Sequence, residues 1–115
     1  MNLSRYFESI VQQDPMPIVI CNTQHKIIYM NPTAVRRYKK RGGAALIGKS
    51  VLDCHNAASV QKICDVVAAF AARTCDDIVF TFHNPKENHD VYMVALRDAE
   101  GALIGYYEKH EQRRK

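Results

Sequence analysis

The sequence predicts an α+β fold, a five-stranded antiparallel sheet with short helices on one face and an amphipathic helix at the N-terminus. Three observations carry this. A hairpin pattern occupies residues 17–30, an apolar stripe of helical period runs over 57–73, and three strand-like runs succeed one another over 78–108 with turn-rich joins. Strands at both ends of the chain with helices between the second and third segregate the helices to one side of an antiparallel sheet. With 115 residues, 47% of them hydrophobic, the chain can bury a core as one domain without disulfides or a structural metal.

Residues 2–13 put Leu3, Phe7 and Ile10, with Tyr6 and Val11 beside them, on one helical stripe, and Asp14-Pro15 closes the pattern. Residues 17–21 and 26–30 are apolar runs separated by the turn-forming Asn22, Thr23, Gln24 and His25. Both faces of each run are apolar, Ile18 and Ile20 against Val19 and Cys21, then Ile27 and Tyr29 against Ile28 and Met30. That places the hairpin in the middle of a sheet covered on both sides. Asn31-Pro32 reads as the cap and first residue of a helix. Its far end carries Arg36, Arg37, Lys39, Lys40 and Arg41, cations that complement the helix dipole before Gly42 stops it. The segment LIGKSVLDCHN breaks into single turns. Over 57–73, Val60, Ile63, Cys64, Val67, Phe70 and Ala71 form the apolar stripe of the longest helix. The strands 78–84, 89–98 and 102–108, joined by NPKEN and DAEG, make an antiparallel meander. The expected organisation is an N-terminal helix over 1–14, the main domain over 15–110 and a charged tail over 111–115.

The net charge of +4 comes largely from the basic helix end and from Lys109, Arg113, Arg114 and Lys115. Glu108 and Glu111 interrupt the second cluster, which has no aromatic platform, so no nucleic-acid partner is expected. No apolar run approaches the roughly twenty residues of a membrane span, and the N-terminus lacks the apolar core of a signal peptide. A cytoplasmic protein without a membrane partner is expected, with Cys21, Cys54, Cys64 and Cys75, which form no C-x-x-C pair, as reduced thiols. The motifs G-x-S-x-G, H-E-x-x-H and G-x-G-x-x-G are missing. No enzymatic activity is expected.

Three stretches in order, IIYMNPTA over 27–34, LIGKSVLD over 46–53 and LRDAEGALIGY over 96–106, resemble the strand-Asn junction, the Leu-Ile-Gly-Lys turn and the Arg-Asp-x-x-Gly hairpin of PAS domains. The similarity covers nearly the whole chain. It implies a small sensory or signalling module that binds an unidentified small molecule in an apolar cavity and acts through an unidentified partner protein. The candidate ligand-binding residues are Cys54, His55, Ile63, Val67, Thr81, His83, Met93 and Tyr106. Flavin photosensors of the family place a reactive Cys three residues after the glycine matching Gly48, where this chain has Val51, so a flavin is not expected. The chain continues Tyr107, Glu108, Lys109, His110, Glu111 where many members carry an Asp-Ile-Thr coupling motif.

Two readings of His55 stand side by side. It could ligate a haem or hydrogen-bond a ligand, or Asp53, His55 and Asn56 could simply cap the helix that begins near Ala57. No C-x-x-C-H is present, so covalent haem attachment is excluded. Register arithmetic across the two late turns puts His83, His89 and His110 in one row, with Thr81, Val91 and Glu108 in the next, either a zinc-like ligand set or three strand ends beside loops.

The late strands are apolar on both faces, so one face needs a cover that the central helices do not provide. Phe80, Phe82, Tyr92, Val94, Leu103 and Tyr107 are the candidates for that outer face. Alternation alone leaves the parity open, and the family resemblance favours Val91, Met93 and Ala95 toward the cavity. A homodimer follows as an expectation, with Leu3, Phe7, Ile10, Phe82, Tyr92, Val94 and Tyr107 at its interface. The alternative function is a ligand-free dimerisation or protein-interaction module.

Overall fold

A computed structural model describes residues 2–113, in the order α1 (Ser4–Gln13), β1 (Val19–Asn22), β2 (Ile27–Met30), α2 (Pro32–Arg37), α3 (Ala57–Ala72), β3 (Ile78–Asn84), β4 (His89–Arg97) and β5 (Leu103–Gln112). Three 3-10 turns, Lys39–Arg41, Gly43–Leu46 and Val51–Cys54, lie between α2 and α3. The five strands form one antiparallel sheet of order β2-β1-β5-β4-β3. This is the expected α+β architecture.

The hairpin is not central. β1 pairs with the last strand, β5, and β2 is left at the sheet margin, with Ile28 on it 52% exposed. Apolar residues on both faces do not demand a central place here: Ile27 and Met30 are buried in the core and Tyr29 lies beside α1, while Ile28 stays exposed. Residues 48–51 run along its free edge: Ile27 N–H donates to Lys49 O, Gly48 N–H to Ile27 O, and Val51 N–H to His25 O. That is one of the ways proteins blunt an exposed strand edge.

Asn31 joins three segments. It caps α2 by accepting Ala34 N–H at 2.9 Å, accepts Ile18 N–H at 2.9 Å, and donates to Val11 O at 3.1 Å and Met16 O at 3.0 Å. The linker after α1 is thereby fixed against the hairpin. The basic helix is shorter than its charge pattern suggests, giving way at Tyr38 to the 3-10 turn of Lys39–Arg41. Asn56 caps α3, and Arg73 ends it in the left-handed region at φ 58°.

α3 buries Val66, Val67 and Phe70, with Val60, Ile63 and Cys64 half-buried and Ala71 exposed. The helix therefore packs through its C-terminal half, and Val66 takes the place in the stripe that the spacing gave to Ala71. Arg97 ties that end to the sheet, donating to Phe70 O at 2.8 Å and pairing with Asp77 at 3.0 Å. Phe70, fully buried, joins Cys21, Met30, Ala34, Met93 and Tyr106 in one core. Val91, Met93 and Ala95 point to the helix side, while Tyr92 and Val94 face outward half-buried.

Two β-bulges correct the expected outer face. One lies between Phe80 and Phe82, the other between Leu96 and Arg97. Each extra residue reverses the alternation beyond it. Phe82 is consequently paired with Val91 on the helix-side face, and Leu103 packs against the core. Ile20, Phe80, Tyr92, Val94 and Tyr107 remain on the outer face, with the rings of Phe80 and Tyr92 edge to face at 5.7 Å. α1 reaches only the hairpin end of that face, where Phe7 and Val11 line a shallow groove with Ile20 and Tyr29. Leu3, Tyr6, Phe7 and Ile10 are all exposed. β5 extends past the expected end at Glu108, so Glu111 and Gln112 of the expected tail are strand residues. Arg114 and Lys115 lie outside the described residues.

Candidate ligand cavity

A cavity of about 220 Å³ lies between the helix side of the sheet and the segments that cross it. Its apolar walls come from Val19 and Cys21 of β1, Ile27 and Met30 of β2, Met93 of β4, Leu46 and Val51 of the 3-10 turns, and Ile63 of α3. Tyr38, Arg41, Cys54, His55, Tyr106 and Glu108 bring polar atoms to it. The sheet sets this division. Val19, Cys21, Tyr106 and Glu108 lie in register on one face because Cys21 pairs with Tyr106 and Val19 with Glu108.

Of the candidate ligand-binding residues, Cys54, His55, Ile63, Met93 and Tyr106 line the cavity. Val67 is buried in the core but away from it. Thr81, at the bulge of β3, donates its hydroxyl to Val91 O at 2.9 Å. His83 faces outward and pairs with Asp90 at 3.0 Å, a carboxylate that Arg113 also holds at 2.6 Å. Val67, Thr81 and His83 are thus corrected as lining residues. Neither Tyr38, Arg41 nor Glu108 was among the candidates. Glu108 was legible, since it stands two residues beyond Tyr106 on the same strand and so shares its face.

The expected histidine row does not form. His83 pairs with Asp90 and His89 with Asn84, a one-residue slip at the Phe80–Phe82 bulge that sends His83 to the opposite face, while His110 pairs with Val91 rather than His89, a two-residue shift across the β4–β5 turn and its bulge that leaves its face unchanged. His89 and His110 stay together on the helix side, their rings edge to face at 5.9 Å and both buried. Among the described residues, no three His, Cys, Asp or Glu side chains are grouped so as to hold a metal ion.

Burial governs the electrostatics. It pushes the Cys21 thiol up to about 11, and the Tyr106 and Tyr38 phenols are also raised chiefly by burial. Tyr106 is not left unsatisfied, because its hydroxyl sits 2.8 Å from Nδ1 of His25 in the β1–β2 turn. Arg41 donates to Cys54 O at 2.9 Å. Glu108 Oε1 lies 3.2 Å from Nε2 of His110. Asn56, rather than His55, provides the α3 cap, leaving the exposed His55 ring at the margin of the cavity. Such a cavity can enclose a small apolar body while offering it a few directed polar contacts.

The family model described as PAS fold matches residues 11–109, and the chain belongs to that family. A comparison with curated proteins found no match. Among solved structures, it is similar to a C-terminal domain from Streptococcus mutans, with 18% identity over 95% of this chain and 84% of that one and a TM-score of 0.76. A PAS domain from Colwellia psychrerythraea is 13% identical over 97% and 98% of the two chains, with a TM-score of 0.70. A sensory box sensor histidine kinase from Vibrio cholerae is 13% identical over 96% and 94%, with a TM-score of 0.62. At these identities the likeness is one of fold. No helix among the described residues is long and apolar enough to cross a membrane.

Proposed function

We propose that this PAS module is a sensor that binds a small, mainly apolar molecule in the cavity and passes its occupancy to a partner protein. The observation that carries the reading is the cavity itself, about 220 Å³ with apolar walls and polar groups at a few points. Packed interiors hold few voids larger than a water molecule. An apolar cavity of about 150 Å³ accepts benzene, so this one suits a single substituted ring or a short branched chain. The sensor histidine kinase among the similar folds is consistent with a signalling role. The volume favours such a ligand over a porphyrin, whose four pyrrole rings would require the cavity to open widely. Native mass spectrometry of the freshly purified protein tests the reading through a mass excess that disappears on denaturation. A Soret band after haem reconstitution, removed by His55→Ala with the fold intact, would instead establish the haem alternative.

A second reading rests on a separate observation, the uncovered outer face. Phe80, Tyr92, Val94 and Tyr107 on the sheet and Leu3, Phe7 and Ile10 on α1 present apolar surface on the same side of the molecule. Pairing two copies across this side would remove that surface from water, worth about 25 cal/mol per Å² before the costs of association. Homodimerisation is compatible with ligand sensing and would also suffice alone for a ligand-free interaction module. Light scattering across micromolar concentrations, with and without residues 1–13, tests it: a monomer mass in every case would remove the proposal.

A further inference from the structure

We propose that the cavity selects small ammonium compounds, an aromatic or branched aliphatic body carrying one protonated amine, with Glu108 as the counter-charge. This rests on the reading of the cavity as a ligand site and adds the chemical class of the ligand. Glu108 is the one carboxylate among the residues lining the cavity. Its pairing sets it apart from the other ion-paired carboxylates. Asp77 is held by Arg97, Glu87 by Arg37, Asp90 by Arg113, and Glu111 by Lys109, whereas Glu108 is paired only with His110 among the described residues.

The histidine contact does not cancel that charge. His110 is buried, its Nε2 faces Glu108 at 3.2 Å, and its Nδ1 is buried without a partner. A ring carrying one proton, on Nε2, donates to Glu108 and leaves only a lone pair at Nδ1. A doubly protonated ring would strand a buried N–H, the more costly arrangement. His89, itself buried with an unpartnered Nδ1, packs edge-on against His110 and fixes its plane. Glu108 is thus oriented by a neutral donor, and its carboxylate, 34% exposed at the edge of an apolar cavity, is open to a cation brought to it there. Arg41 does not supply one: it lies on an exposed turn, gives a hydrogen bond to Cys54 O, and forms no ion pair with Glu108. The ligand is left to do so.

Three probes of one skeleton test this by titration calorimetry on the intact chain at neutral pH: benzylamine, benzyl alcohol and benzoate. Benzylamine is expected to bind at least about tenfold more tightly than benzyl alcohol, with benzoate weakest. Glu108→Gln should abolish that preference, and Glu108→Asp should retain part of it. The order of the three probes on the unaltered chain decides the matter even if a variant folds poorly. Benzyl alcohol binding as tightly as the amine, benzoate binding most tightly through Arg41, or an amine preference that survives Glu108→Gln would overturn the proposal while preserving the cavity as a ligand site. Binding of none of the three would overturn both.

Discussion

Asn31→Ala should be among the most damaging single changes outside the apolar core. The side chain is fully buried and makes four hydrogen bonds, to Ile18, Ala34, Val11 and Met16. Loss of the α2 cap alone costs about 1 kcal/mol. That cap is the Ala34 N–H bond; Ile18 N–H also loses its acceptor, and a buried donor left unpaired costs about 1 to 3 kcal/mol. The carbonyls of Val11 and Met16 suffer less, since a carbonyl keeps a second lone pair and more routes to water. The combined loss is expected to be about 2 to 4 kcal/mol, a large share of the roughly 5 to 15 kcal/mol that holds a domain folded. Urea denaturation with an unchanged m-value measures it. Asn31→Asp retains both accepted bonds but sets an oxygen against two carbonyls. Burial and those carbonyls raise its carboxyl in the folded state, so its deficit should shrink as pH falls through that raised value and protonation restores a donor. A loss under 1 kcal/mol for Asn31→Ala would show that the linker is not anchored through this residue.

Phe70→Ala should cost about 3 to 5 kcal/mol in the same assay, as a large-to-small change at a fully buried position; a value under 1 kcal/mol would mean that α3 does not pack through this end. Gly105→Ala places a methyl group against the backbone carbonyl of Cys21, where no side-chain movement can relieve the clash, and should cost about 1 to 3 kcal/mol or prevent folding; wild-type stability would refute the close pairing of β1 with β5. Cys21, with its thiol pushed up to about 11 by burial, should be the slowest of the four cysteines to react with an alkylating reagent at pH 8, as read by peptide mass mapping. The carboxyls of Asp77, Glu87 and Asp90 are each lowered chiefly by hydrogen bonds from an arginine, Arg97, Arg37 and Arg113 respectively. Their contribution is present above the ordinary carboxylate range and fades as pH falls through their depressed values. Stability should therefore decline on acidification below about pH 4, and the Arg97→Met variant should show a shallower decline than the parent.

Much of the fold was legible because its signals are local. Asn31-Pro32 announces a capped helix, the period of α3 appears in its apolar spacing, and alternation marks β3, β4 and β5. The misplaced hairpin had a different cause. Apolar residues on both faces mark a strand but not its place in the sheet: β2 buries Ile27 and Met30, leaves Ile28 exposed, and closes its free edge with residues 48–51. The bulges were illegible for a related reason. An extra residue in one strand leaves the composition unchanged yet reverses every side chain beyond it, and this removed Phe82 and Leu103 from the outer face and His83 from the histidine row. The cavity was legible in part. Met93 and Tyr106 follow from strand alternation only once the family resemblance sets the inward parity, and Cys54 and His55 follow from the resemblance itself, but Tyr38 and Arg41 reach the cavity through irregular turns after α2 that no period describes.

The central claim, that a small molecule occupies the space between sheet and turns, is tested most directly by 13C-methyl NMR of the methionines. Met30 and Met93 line the cavity and Met16 does not, so the chain carries its own internal control. Titration with benzylamine and benzyl alcohol should shift the Met30 and Met93 methyl signals in a saturable way while the Met16 signal stays fixed. Cavity-methyl signals that remain unmoved at millimolar concentrations of both probes, or a Met16 signal that moves with them, would contradict the account.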